Sequence, residues 1–478
     1  MKFIPSDELA TNLANSDHSI RGKVSVPKVK KFNLKPALLL LVFLFAVIIP
    51  RWYYVEHFAV ALPFWDQWDS EGDLLRSWLE GTLKFSDLWL PHNEHRIFST
   101  RLFALFSFGL TGVWNNLVGA RLNVLLASSI PFILVWLLHK AGELKGKKWL
   151  MLPVILAGSV LPFIWENLLV GFQSQFYFLL LFAVSALALA TWRPESLVSF
   201  LAVIMLSILS VLTMASGIMT PLAVVSVYCL HWYLYRKQPV QTALFISLLL
   251  LVSIAGYLTM PSQPAHEIFR AQNIQDLWDT FLMMESWPLR IKYWAAPLLW
   301  LPTCITLPIL IFRKNMTRYD LLMAGCLFWS LLQVLATSYG RGHDLENVTS
   351  RYSDFISFGL IAYAWFALRV TELFPKNFRI QLLTILISIS FFVVLYKGHC
   401  SRKKDDFTDM QNRHKMVLIQ IKNVSDYLKT GDSTSLQKPA FQIPYPDPVR
   451  LKKLLDDPAL RSALSGFYKI TVPTEAKK

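Results

Sequence analysis

Carboxylates crowd into one stretch of this chain in a way that invites acid–base chemistry. Residues 55–96 hold Glu56, Asp66, Asp69, Glu71, Asp73, Glu80, Asp87 and Glu94 against only Arg76, Lys84 and Arg96. A general base must lie within hydrogen-bond reach of the hydroxyl it deprotonates. Asp66 and Asp69, just ahead of a short amphipathic segment, are the two acids best placed for that role. The D-x-x-D-x-E run over Asp66, Asp69 and Glu71, taken with His92 and His95, also offers oxygen and imidazole ligands to a divalent cation. Its spacing fits no strict ligand signature. The plainer readings are that Asp66 is a solvated acid or a helix cap, and that Asp69 and Glu71 are surface acids.

Cations that suit an anionic ligand lie elsewhere. The guanidinium fork bonds phosphate oxygens in pairs, which makes arginine the residue to look for. Residues 338–354, SYGRGHDLENVTSRYSD, carry Arg341, His343, Asp344, Glu346, Arg351 and Tyr352. Arg341 and Arg351, together with Arg96, His92 and His95, are the phosphate-binding candidates, and Glu94, His343 and Tyr352 accompany them. Arg351 has a second reading, capping a helix end or pairing with Asp354. Residues 261–291 add His266, Glu267, Arg270, Asp276, Asp279, Glu285 and Arg290, interleaved with Trp278 and Trp287. A fourth stretch, WENLLVGFQSQ at 165–175, sets Glu166, Asn167, Gln173 and Gln175 at the ends of two apolar runs. Such groups are costly against lipid, so they face a cavity or one another. Glu166 and Gln173 join the substrate-binding candidates, although an amide and a carboxylate can simply lock two helices together.

The elements that must position these residues are membrane helices. Of 478 residues 54% are apolar and 17% charged, well below the quarter typical of soluble domains. Apolar runs near 36–54, 118–138, 149–164, 173–191, 197–213, 218–235, 240–260, 292–312, 320–338, 352–369 and 380–397 approach the length that spans a bilayer of about 30 Å. The net charge of +15 sits in short turns, which orients a membrane protein rather than binding nucleic acid. Lys23, Lys28, Lys30, Lys31 and Lys35 place the N-terminus in the cytoplasm. The turns with Lys140, Lys145, Lys147 and Lys148, with Arg193, with Arg236 and Lys237, with Arg313, Lys314 and Arg318, and with Arg369, Lys376 and Arg379 belong on that same side. Alternation satisfies all of them only if the apolar segment 97–113 does not cross. It reads instead as a helix lying in the outer interface. The four cysteines, Cys229, Cys304, Cys326 and Cys400, form no disulfide or zinc pattern. The first apolar run reads as an anchor behind a basic tail, with no cleavable signal.

The fold class expected is therefore an all-α polytopic membrane protein. It has about eleven transmembrane helices, with interfacial helices in a first outer loop over 55–117. Residues 1–35 form a cytoplasmic tail, 36–397 the transmembrane domain and 398–478 a small outer-face segment. In the first loop, Ser70 with Asp73 resembles a helix-starting pair, Leu74, Leu75, Trp78 and Leu79 make an apolar face, and Gly81 stops the helix. Near the C-terminus, Asp447–Pro448 and Asp457–Pro458 each read as cap and first helical residue. That segment either covers the mouth of the site, contacts an acceptor or packs as a plain tail.

The stretch from PFWDQWDSEGDLLRSWLEG through NEHRIFSTRLFALFSFGLTG to NNLVGARLNVLLASSIPFILVWLLHKAGELKG resembles the amino-terminal half of GT-C glycosyltransferases. The likeness is to the polyprenyl-phosphate-sugar-dependent enzymes of the aminoarabinose-transferase and protein-mannosyltransferase type, and it covers roughly residues 36–150. In that superfamily an acid, often in an Asp-Glu pair, opens the first outer loop, followed about fifteen residues later by a helix ending in Gly. Here Asp66 stands fifteen residues before Gly81, Ala120–Arg121 opens the second span, and the pair reads Asp66–Gln67. The resemblance implies inverting transfer from a polyprenyl-phosphate-linked sugar to a glycan, lipid or protein acceptor, with Asp66 as base and Asp69 its rival. It further implies a bacterial inner membrane protein with no obligatory cofactor. Trp65, Trp68, Trp78, Trp89, Trp165 and Tyr352 suit stacking on a sugar face or, more plainly, anchoring at the interface.

Two other classes stay open. A lipid-linked saccharide flippase or transporter calls for matched, interrupted repeats with polar residues at mid-membrane depth, and no such internal symmetry is visible. An envelope polysaccharide polymerase or ligase places its large outer loop late in the chain, whereas the largest loop between spans here is the first.

Overall fold

The computed structural model describes residues 34–289 and 293–464. Nearly all of the expected basic tail over 1–35, including Lys23, Lys28, Lys30 and Lys31, lies outside the described residues, as does Arg290. We label the α-helices in chain order: α1 Leu34–Phe58, α2 Gln67–Leu79, α3 Phe98–Thr111, α4 Asn116–Lys140, α5 Met151–Val160, α6 Trp165–Leu169, α7 Ser174–Trp192, α8 Leu197–Val211, α9 Met219–Tyr235, α10 Pro239–Leu258, α11 Ile274–Glu285, α12 Ala296–Phe312, α13 Arg318–Arg341, α14 Ser353–Arg369, α15 Phe378–Thr430, α16 Pro448–Asp456 and α17 Pro458–Ala463. Among the described residues there is no strand, only a single bridge between His92 and His95.

Nine helical segments among the described residues are long and apolar enough to cross a membrane. They are Pro36–Phe58, Asn116–Lys140, Gly146–Leu169, Gly171–Trp192, Ala215–Tyr235, Pro239–Leu258, Arg318–Arg341, Ser350–Glu372 and Phe378–Thr430. The chain is thus a polytopic helical membrane protein. Spans were also expected at 197–213 and 292–312, where α8 and α12 are apolar but only 15 and 17 residues long. At 1.5 Å per residue they reach about 22 and 25 Å, short of the roughly 30 Å hydrocarbon core. The third segment is longer than its apolar run implied and is broken at Leu161, where extended backbone precedes Pro162.

The bundle is organised around α14. Its sequence, SDFISFGLIAYAWFALR, is apolar nearly all round, as a helix enclosed by others must be, and every residue from Phe355 to Arg369 is buried. Small residues set the closest approaches, because lipid supplies no hydrophobic drive between helices. A Cβ on Gly359 would come within 2.4 Å of Ser330 Oγ on α13, and one on Gly325 would meet Leu187 of α7 and Val227 of α9.

The basic turns gather at one end. Asp320 accepts from Arg369 Nε (3.0 Å) and Trp365 Nε1 (2.7 Å), Lys148 lies 3.5 Å from Glu372, and Arg313 donates to Leu373 O. Lys314 and Arg236 both sit over the Tyr233 ring, while Arg193, Lys237 and Arg318 line one pocket. At the other end, Ile97 N donates to Thr213 O (3.3 Å), Arg96 to Thr259 O (2.9 Å) and Arg341 to Glu94 (3.1 Å). Helix α3 lies across that second end. Ile97 before it reaches Thr213, and Trp114 after it donates to Glu71 (3.0 Å). Its Leu102, Phe106 and Leu110 form an exposed apolar stripe, with Arg101, Ala104 and Phe108 on the buried side.

Three local expectations are corrected. Helix α2 starts at Gln67 with Asp66 at its N-cap, and Ser70 Oγ donates back to Asp66 O rather than starting the helix. Its Leu74 and Leu75 are buried, whereas Trp78 and Leu79 are exposed; Gly81, in the left-handed region at φ +69°, does end it. Helix α4 begins at Asn116, capped by Asn115, so Arg121 lies inside it and forks onto Glu56 at 2.7 and 2.8 Å. The helix of the last expected span does not stop at 397. Helix α15 runs 53 residues, about 80 Å. Loss of apolarity after Tyr396 marks the end of the hydrocarbon, not of the helix. No Pro interrupts it, Arg402 and Asp406 pair one turn apart (2.8 Å), and the stop comes at Gly431.

The far half of α15 joins the C-terminal segment and the first loop in a second core outside the bundle. Val417, Ile421 and Val424 pack with Ile443, Leu451, Leu455 and Leu460, and with Leu62, Trp68, Leu75 and Trp114. Asp447 and Asp457 cap α16 and α17, each with Pro in the first turn, as expected.

Candidate functional site

Asp66 occupies the N-cap of α2, yet its carboxylate makes no capping bond. The side chain is 40% exposed, and its nearest titratable neighbour is His92 Nε2 at 3.9 Å. The preceding residue explains its presentation. Trp65 has φ +51°, a left-handed conformation uncommon outside glycine. It is held there by donating its N–H to Pro444 O (2.7 Å) and stacking on Phe441 at 5.0 Å. Phe441 is itself at φ +70°. The C-terminal segment therefore clamps the residue that aims Asp66.

Burial, with the Asp69 charge adding to it, raises the Asp66 pKa, while Arg351, His95 and His266 pull the other way. A carboxyl shifted upward is a stronger base when ionised, and its charge change moves toward working pH.

The histidine turn is rigid. His92 and His95 exchange backbone bonds of 2.8 and 3.0 Å around Asn93, at φ +52°. His95 Nδ1 accepts from Ala215 N at 3.1 Å, which assigns its proton to Nε2. His92 Nε2 is buried with no hydrogen-bond partner, and its ring meets Phe172 edge-on at 5.2 Å. Burial pushes both imidazoles down to about 4, so both are neutral at pH 7.

Three arginines approach this region, and one of them was not foreseen. Arg351 N donates to Glu166 Oε2 (2.9 Å), and its guanidinium stands 4.0 Å from Glu166 Oε1, 48% exposed and close enough to Asp66 to act on its charge. Asp354 is not its partner; that carboxylate accepts from Asn167 Nδ2 at 2.9 Å. Arg413, on the far half of α15, lies over the Phe64 ring at 4.8 Å with NH1 buried and unpartnered. Glu166 is the acid whose charge acts on it. In the sequence Arg413 stands in a polar, basic run, QNRHK, with no mark to separate it from a solvated helix face. Only the continuation of α15 past the membrane brings it here. The third, Arg341, is committed to Glu94, which also accepts from His266 Nδ1 (2.7 Å).

Several expected site residues are held by partners within the fold. Asp69 is tied to the C-terminal segment, accepting from Arg450 Nε (2.6 Å) and Tyr445 OH (2.8 Å). Glu71 is buried, accepting from Gln67 Nε2 and Trp114 Nε1 at 3.0 Å each. Arg96 serves the carbonyls of Trp89 and Thr259. Glu94, Arg341 and His266 form a lock between three loops. His343 lies 3.4 Å from Asp276, Gln173 accepts from Gln175 (3.3 Å), and Tyr352 packs against the main core. With Asp69 and Glu71 turned elsewhere, the expected oxygen and imidazole set for a divalent cation does not converge. Among the described residues no three His, Cys, Asp or Glu side chains are grouped to hold one.

Two pairs remain near one another, Asp66 with His92 and Arg351 with Glu166, and Arg413 lies over the Phe64 ring, which packs with Phe172. Chemically this is one available carboxylate base beside two guanidinium groups, at the end of the bundle away from the basic turns. Compared with protein-family models, curated proteins and solved structures, the chain matches none of them.

Proposed function

We propose that the chain is an integral membrane glycosyltransferase that moves a sugar from a polyprenyl-phosphate donor to an envelope glycan, lipid or protein acceptor. The observation that carries the reading is Asp66, an uncapped carboxylate whose pKa is raised by burial, close enough to Arg351 to feel its charge and two residues from Phe64, over whose ring Arg413 lies with NH1 buried and unpartnered. Asp66 takes the proton of the acceptor hydroxyl as its oxygen bonds to the sugar's anomeric carbon. The bond from that carbon to the phosphate oxygen breaks, and the electron pair leaves on the phosphate. Arg351 and Arg413 neutralise that charge in a partly dry site, where fixed cations act most strongly. Attack opposite the leaving group inverts the anomeric centre. The resemblance of residues 36–150 to GT-C enzymes supports the same reading. On this reading α8 and α12, although shorter than the hydrocarbon core, cross where the bilayer thins and complete eleven spans with the nine longer segments, the N-terminus is cytoplasmic, and the site lies on the outer face of a bacterial inner membrane.

The test is Asp66→Asn, expressed at the wild-type level and assayed for envelope glycan modification. Loss of a positioned general base lowers turnover by about 10²–10⁴-fold. Wild-type modification by the variant would remove Asp66 from the mechanism.

A further inference from the structure

A roomy cavity lies at the opposite end of the bundle from Asp66. Helix α8 is too short to match its neighbours, and the turn before it, Arg193–Ser196, leaves a notch between the ends of α7 and α9 and the start of α13. The notch has a volume of about 470 Å³ and is lined by Trp192, Arg193, His231, Tyr235, Lys237 and Arg318, among others. That is the size of a small-molecule site.

Its charge is unbalanced. Glu195 is the one carboxylate in the lining, and it stands 3.8 Å from Lys237. Among the described residues neither Arg193 nor Arg318 has an acidic partner, so two guanidinium groups face the notch unpaired. Outside it the surface turns apolar within one helical turn. Leu197, Val198 and Leu201 on α8 are 59–79% exposed. Trp232 and Tyr235 are exposed on α9, and Arg236 lies over the Trp232 ring at 4.7 Å. Aromatic residues partnered by cations in this way mark the level of lipid headgroups.

A cationic notch opening onto an apolar, aromatic-rimmed wall fits an amphiphile with an anionic head. A soluble phosphate would use the arginines but leave the α8 face uncovered. We propose that this notch binds the phosphodiester headgroup of an anionic membrane phospholipid. Arg193 and Arg318 take its oxygens, and its acyl chains lie along Leu197, Val198 and Leu201. None of these residues belongs to the Asp66 cleft, so this site and the proposed transferase function stand or fall separately.

The experiment is native mass spectrometry of the purified full-length protein in mild detergent, titrated with phosphatidylglycerol, phosphatidylcholine or inorganic phosphate. Wild type is expected to retain phosphatidylglycerol about tenfold more tightly than phosphatidylcholine, a difference of about 1.4 kcal/mol. Added salt should weaken it. Arg193→Gln with Arg318→Gln is expected to abolish that preference. The lipid comparison on wild type needs no variant, so it stays decisive if the double variant folds poorly. Equal retention of the two lipids by wild type overturns the site, as does an undiminished preference in a folded double variant. Displacement of phosphatidylglycerol by equimolar inorganic phosphate would assign the notch to a soluble anion instead.

Discussion

Replacing Glu71 by Gln separates a packing carboxyl from a reacting one, and its effect can be sized from the structure. Glu71 is buried, 7% exposed, and burial raises its pKa from 4.5 to about 7 despite hydrogen bonds from Trp114 and Gln67. For an acid raised in the folded state, the native protein holds more protons than the unfolded chain between those two values. Stability therefore falls as pH rises through that interval. At about 1.4 kcal/mol per pKa unit, ionising this group in place costs the fold roughly 3 kcal/mol once pH exceeds 7. Glutamine keeps an oxygen to accept from Trp114 Nε1 and Gln67 Nε2, and carries no charge. Thermal unfolding in detergent should show wild type losing Tm between about pH 5 and pH 8, by a few degrees for a change of this size. Glu71→Gln should flatten that dependence, exceed wild type at pH 8 and retain activity. Parallel Tm curves for the two proteins would refute the argument that Glu71 is buried and uncompensated. Lost activity in a stable variant would return Glu71 to the substrate site.

Three further outcomes follow from the same geometry. Because the Asp66 pKa is raised and the base must be ionised, transfer should fall as pH drops through a value above the ordinary 3.8 of aspartate, read as the acid limb of kcat/KM in vitro. Arg413→Gln should raise KM for the lipid-phosphate donor by about 10–100-fold, the equivalent of one charge-assisted hydrogen bond of about 1.5–3 kcal/mol, with Arg413→Lys recovering part of it. Gly119→Ala would place a Cβ 2.9 Å from Gly171 Cα, where neither backbone can yield. Overpacking of this kind costs about 1–3 kcal/mol, measurable as a lower Tm in detergent.

The membrane class was legible because it needs only composition and run length. The end of α2 at Gly81 was legible through the left-handed backbone glycine allows, and the two Asp-Pro caps through turn chemistry that acts within three residues. The reach of α15 was not. An apolar run ends where lipid ends, while a helix ends where its backbone finds a cap, here at Gly431.

What the sequence determined by itself were the properties that depend on local residues: the helices, their apolar faces, which turns are basic, and a short list of acids and arginines. The tertiary structure alone sorted that list. Asp69, Glu71, Arg96 and Arg341 each have a partner far along the chain, at Arg450, Trp114, Thr259 and Glu94. Pairing over such separations leaves no local trace. Arg413 entered for the opposite reason: its buried NH1 has no hydrogen-bond partner, and a missing partner becomes visible only when every neighbour has been placed. In the acidic loop that drew attention in the sequence, Asp69 and Glu71 are thus spent on partners, while Asp66 is left uncapped behind a residue held by a C-terminal segment nearly 380 residues away, because hydrogen bonding and burial between distant segments decide which charges are spent.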